Sequence, residues 1–173
     1  MVCPSRAAAT QARRLIAGFL DRLKLAPHSG KTHVVDLGCA GFEFLGFHFH
    51  KRPSRRTGRL VPYAWPSHSA MRKVRATIRH HTRRTRLRVP LGELVGTLNQ
   101  TIRGWRAYFA IGNSTKKLTD LDRYVWLRLW RFLWGRQGRR GRLTLGAFAA
   151  WERCSGLAYF YPRGRRGLQP CVL

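Results

Sequence analysis

Leu15, Phe19, Leu20 and Leu23 recur at helical spacing, with Arg13, Arg14, Arg22 and Lys24 among them. That pattern predicts an amphipathic helix over 6–25, broken by Pro27 and Gly30. The period then changes. "KTHVVDL" (31–37) carries β-branched pairs and reads as a strand. After Gly38–Gly41, "FEFLGFHFH" places Phe42, Phe44, Phe47 and Phe49 around Leu45-Gly46 and reads as a second strand, paired with the first in a hairpin. A glycine inside such a strand predicts a bulge or a close backbone approach at Gly46. Residues 51–59 read as a basic loop and 60–65 as a short extended segment.

From Ser67 onward the period is helical. Ser67, after Pro66, is a candidate N-cap, and Met71, Val74 and Ile78 form a narrow apolar stripe on a helix over 67–86. Pro90 opens a second helix, on which Leu91, Leu94, Val95, Leu98, Ile102, Trp105 and Phe109 form a wide apolar face ending at Gly112-Asn113. Thr119 and Asp122 resemble a capping box at the start of a third helix running to about 136, with Leu121, Val125, Leu129 and Phe132 on one side. Residues 135–143 read as a basic linker. Residues 144–153 read as a short helix with Leu145, Phe148 and Trp151 on one face, followed by an extended tail.

Charge changes this picture. The 173 residues carry 34 Lys+Arg against 7 Asp+Glu, a formal net charge of +27, yet 44% are hydrophobic. The chain has enough apolar content for a core, so disorder of the whole is a poor reading. The surplus cannot be paired internally, and a compact body so charged repels itself unless polyanions are close. The excess is mostly arginine, whose planar fork binds phosphate oxygens bidentately and stacks on rings. Nucleic acid is therefore the expected partner. An anionic membrane surface and a merely solvated basic face are the alternatives.

The basic positions fall on the predicted helices. Between Phe44 and Gly92 there is no acid, against 13 Lys+Arg. Arg72, Lys73, Arg75, Arg79, Arg83, Arg84 and Arg86 surround the thin apolar stripe of the first helix of this group, so its exposed face is the first candidate phosphate-binding surface. In "RGWRAYF" (103–109), Trp105 and Phe109 share the apolar face and read as core, leaving Arg103 and Arg106 free. On the third helix, Arg128 and Arg131 are expected opposite the apolar arc, with Trp126, Trp130 and Trp134 forming a stripe beside Arg123. The tryptophans read first as a core seam and second as a platform for stacked bases.

Catalytic chemistry is not visible. The acids are scattered, with only Asp120 and Asp122 close, and these read as partners of a helix start. Cys3, Cys39, Cys154 and Cys171 form no C-x-x-C and read as free thiols of a reducing compartment. The pairs His48/His50 and His80/His81 lack the further ligands of a zinc site. No metal and no cofactor is expected. No run is long and apolar enough for a membrane span, and the first residues do not read as a signal peptide. The expected location is a bacterial-type cytosol or nucleoid.

The stretch "LNQTIRGWRAYFAIGNSTKKLTDLDRYVWLRLWRF" (98–132) resembles the maturase-specific region of group II intron-encoded proteins, with Ile-Arg-Gly-Trp, a serine followed by Lys116 and Lys117, Leu-Asp, and Trp-x-x-Leu-Trp. "HSGKTHVV" (28–35) and "GFEFLGFHF" (41–49) resemble the end of the reverse transcriptase palm of the same family, though Ser29 and Gly30 stand where proline and usually glutamate are expected. The resemblance implies a palm remnant over 1–66 and a thumb-like three-helix maturase domain over 67–137. It implies a primer-grip-like role for Phe44, Leu45, Gly46 and Phe47, and assigns Arg103, Gly104 and Trp105 to the maturase motif. A basic segment with a short helix follows over 138–173. The fold class is α+β, mainly α.

In that family the polymerase aspartates lie in a turn just ahead of the segment that residues 1–9 resemble. No polymerase activity is therefore expected from these residues alone, because two-metal nucleotidyl transfer needs those carboxylates. The implied function is to grip intron RNA, or an RNA/DNA duplex, through its phosphates during splicing or mobility. Two other readings stay open: an enzyme part completed in trans by an upstream reverse transcriptase fragment, and a non-functional remnant.

Overall fold

A computed structural model of the protein describes residues 3, 5–28, 30, 32, 34–38, 40–54, 56–138 and 143–161. Ser29, Cys39, Cys171 and the arginine-rich stretches at 139–142 and 162–167 lie outside these residues, as does most of the expected tail. The elements are α1 (Arg6–Arg22), β1 (Phe42–Phe44), β2 (Phe47–Pro53), β3 (Leu60–Pro66), α2 (His68–His81), a 3-10 turn (Arg84–Arg86), α3 (Leu91–Phe109), α4 (Thr115–Gln137) and α5 (Leu145–Cys154). The fold is α+β and mainly α, as expected.

α1 follows its periodicity. Ser5 caps it by accepting from the Ala8 amide at 3.2 Å, and Lys24, at φ 55°, ends it in the left-handed region. Its apolar face is bare: Leu15, Phe19 and Leu23 are all more than half exposed.

The hairpin differs from the expectation. The described residues of 31–37 form no strand, and Lys31 and His33 lie outside them. "FEFLGFHFH" folds on itself instead: β1 and β2 pair antiparallel, with Phe44 opposite Phe47. Leu45 and Gly46, at φ 48° and 80°, make the two-residue turn between them. Positive φ at both central residues matches the right-handed twist of the flanking strands. β3 takes the other edge of β2, from Phe47↔Pro66 to Pro53↔Leu60. Part of the expected basic loop, 51–53, is thus strand. Among the described residues, a single backbone bond, from the Lys51 amide to the Leu37 carbonyl, ties this segment to the sheet. β-propensity without a paired neighbour does not make a strand.

The turn is also where sheet and helices meet. Gly46 accepts from the Ser67 amide at 2.7 Å, and Tyr108 donates to the Leu45 carbonyl at 3.0 Å. A Cβ at Gly46 would stand 3.1 Å from Phe109 Cζ, so the close approach expected at this glycine is real, in a turn rather than a strand. Phe47 is buried with Ala70 and Phe109 in a small core of its own.

The main core lies between α2, α3 and α4. Met71, Val74 and Ile78 meet Leu94, Leu98 and Ile102 on one side and Leu121, Val125 and Leu129 on the other. Each fully buried side chain contributes about 1.5–3 kcal/mol. Ser67 caps α2 as predicted, accepting from the Ala70 amide. The capping box at Thr119 does not form. α4 begins at Thr115, after the positive-φ turn at Gly112, and Thr119 donates to the Thr115 carbonyl inside the helix. The earlier start places Leu118 in the core, at 3% exposure.

Phe148 of α5, Leu157 and Phe160 complete this core. Two helix residues hold the segment carrying them. Asn99 donates to the Gly156 carbonyl at 2.9 Å and accepts from the Ala158 amide at 2.7 Å. Asp122, 7% exposed, accepts from the Phe160 and Tyr161 amides at 2.7 and 3.0 Å. Asp122 is thus a buried clasp, not a partner of a helix start. Asp122→Ala orphans two amides and should lower stability by about 3 kcal/mol, with Asp122→Asn intermediate, measured by urea unfolding. An unchanged midpoint for Asp122→Ala refutes the clasp.

Candidate nucleic-acid interface

α2 and α4 lie side by side and run in the same direction along their seam. The Tyr124 ring lies under the Arg75 guanidinium, 5.6 Å from centroid to Cζ. Arg128 reaches the end of α2, donating from Nε to Thr82 Oγ1 at 2.9 Å and from Nη2 to the Thr82 carbonyl at 2.8 Å. The Arg128–Thr82 contact lies further along both helices than the Arg75–Tyr124 contact.

The cations along this seam divide into two kinds. Arg72, Arg79, Arg83, Arg84 and Arg131 are exposed. Among the described residues, none of their side chains makes an ion pair or hydrogen bond. The others are engaged. Arg75 is half-buried on Tyr124, with its Nε buried and without a hydrogen-bond partner. Arg86 donates to His81 Nδ1 at 2.9 Å. Burial, then Arg86 and His80, lower the His81 pKa below the usual imidazole value, which keeps the ring neutral as an acceptor.

Arg128 departs from the expectation. At about 100° per residue it lies only about 20° from Leu121, at the rim of the apolar arc rather than opposite it. There its fork satisfies carbonyls that the end of α2 leaves open. Arg136, a residue the sequence did not single out, does the same for the connecting loop, donating to the Val89 carbonyl. Tyr124 was missed as well.

The other candidates sit apart. Lys73 lies about 100° round α2 from Arg72. Lys117 is half-buried in the first turn of α4. Lys116 and Arg123 point outward from α4 beside exposed Leu127. Arg103 and Arg106 are exposed on α3 and line a shallow surface with Ala107 and Ala110. Trp105 and Phe109 pack inward, their ring centroids 4.3 Å apart. In "RGWRAYF" the Trp105 indole and the Phe109 ring hold the helix while the arginines face solvent. Of the four residues expected to act as a primer grip, Phe47 is buried and Gly46 lies in the turn, whereas Phe44 and Leu45 are 59% and 67% exposed.

The tryptophan stripe splits. Trp126 and Trp130 stack on each other and pack edge-on against Phe148 of α5. Trp134 is 56% exposed, beyond the cover of α5. It borders a cleft with Arg84, Arg128, Arg131 and Trp130.

Arg128→Ala should cost about 2 kcal/mol of stability, whereas Arg72→Ala and Arg79→Ala stay within about 0.5 kcal/mol. Thermal unfolding of the single variants checks this, and equal effects refute the division between engaged and exposed arginines.

No helix among the described residues is long and apolar enough to cross a membrane. No curated protein matches the chain. Residues 71–145, which run from the first turn of α2 to the start of α5, match the family model of the group II intron, maturase-specific domain.

Proposed function

We propose that the protein binds structured intron RNA through its phosphates and stabilises the RNA in its splicing-competent shape. One observation carries the reading. The arginines of the α2–α4 seam are exposed on a scaffolded surface and, among the described residues, form no ion pair. Counterion release drives such a surface onto a phosphate backbone. The maturase-specific match over the same helices supports intron RNA as the partner. Catalysis of splicing then belongs to the RNA, and the protein acts by binding one of its conformations preferentially.

Replacing Arg72, Arg79 and Arg83 together by alanine should weaken binding to intron RNA and to unrelated duplex alike. It should also flatten the dependence of log K on log[salt] by about 2–3. Filter binding across a salt series, with a splicing assay alongside, measures both, and unchanged affinity refutes the seam as the contact.

The exposed pair Phe44 and Leu45, at a turn resembling a primer grip, favours a second reading: part of a reverse transcriptase completed by a polypeptide that supplies the carboxylates. Primer extension should then appear on mixing the two and fall at least tenfold with Phe44→Ala, a loss of about 1.4 kcal/mol of transition-state stabilisation. No extension by the mixture excludes it.

A further inference from the structure

The cleft beside Trp134 differs from the rest of the basic surface. It is a concavity of about 380 Å³ between the end of α4 and the 3-10 turn. That volume is at the low end of the ~300–1,000 Å³ typical of small-ligand clefts, too small for a duplex. Its walls combine two chemistries. Arg84 and Arg131, both exposed, line it, and Arg128 adds a third guanidinium whose position is fixed by Thr82. Trp130 and Trp134 supply indole rings, their centroids 6.1 Å apart and inclined by 64°. Among the described residues, no acid lines the cleft.

The exposure of Trp134 is not required by packing. Trp126 and Trp130 satisfy α5 through Phe148, and the third ring of the stripe stays more than half in solvent. An indole edged by cations suits a flat π-face joined to a phosphate. In a duplex both faces of a base are covered by its neighbours, so only an unpaired nucleotide offers a face to the ring.

We infer that this cleft takes one unpaired nucleotide of the bound RNA, its base stacked on Trp134 and its flanking phosphates held by Arg84 and Arg131. The inference rests on the RNA-binding reading above and adds to it a recognition element for RNA shape. Seam arginines that touch only phosphates do not distinguish a regular helix from a bulged one. A nucleotide cleft does, by favouring RNA that presents a base out of the stack.

The test uses two RNA duplexes, one fully paired and one with a single bulged 2-aminopurine. The wild-type protein should prefer the bulged RNA by about tenfold and quench its fluorescence on binding. Trp134→Ala should abolish both the preference and the quench while leaving duplex affinity and its salt dependence unchanged. Trp134→Phe should keep part of each, and Arg131→Gln should weaken binding of the bulged RNA more than of the duplex. Preference and quench that survive in Trp134→Ala overturn the cleft while leaving the seam intact. A protein that binds neither RNA overturns the RNA-binding reading and the cleft with it.

Discussion

Uncompensated positive charge is the constraint under which this molecule folds. A net charge of +27 on 173 residues cannot be relieved by internal pairing, and among the described residues the cations of α2 and α4 make no ion pairs. Cohesion therefore comes from elsewhere. The apolar stripe of α2 is narrow, but Ile78 is completely buried, and it meets fully buried residues of α3 and α4. The helices stay together because their inner faces are apolar and closely packed, while their outer faces repel one another and attract a polyanion.

Polar groups do a different job from the one their charges suggest. Arg128 and Arg136 bind carbonyls at the end of α2 and in the loop that follows, not carboxylates. Asp122 binds backbone amides, and Asn99 bonds one carbonyl and one amide. In each case a side chain satisfies backbone that regular structure leaves open, and so fixes an irregular segment to the helical core. These contacts make α5 and residues 156–161 part of the bundle. α5 in turn decides which tryptophans are covered. The exposure of Trp134 follows from where α5 ends its cover, and the nucleotide cleft follows from that exposure.

The β-hairpin is built on the same economy of contacts. Its turn touches α3 through Gly46, Phe47 and the Leu45 carbonyl, and Ser67 links it to the first turn of α2. The tight approach of Gly46 to Phe109 leaves Phe44 and Leu45 facing outward from a rigid support. The sheet thus presents apolar groups beside a surface that is otherwise cationic.

Local order was legible in the sequence. Periodicity located α1 to α5 and the inward faces of α2, α3 and α4, because helical spacing and burial share one geometry. Ser67 was legible as a cap for the same reason: the bond it makes is three residues long. The charge surplus and its arginine bias also pointed to a polyanion before any coordinates. Pairing decided the rest. Residues 31–37 have the composition of a strand, but β1 and β3 occupy both edges of β2. Asp122 and Asn99 bond to segments 38 and 57 residues away. Arg128 looked like its neighbours until its orientation toward Thr82 was known. Sequence thus determined which residues are apolar, basic or turn-forming. The three-dimensional arrangement determined which cations remain free and which ring stays uncovered, because those properties depend on contacts between residues far apart in the chain.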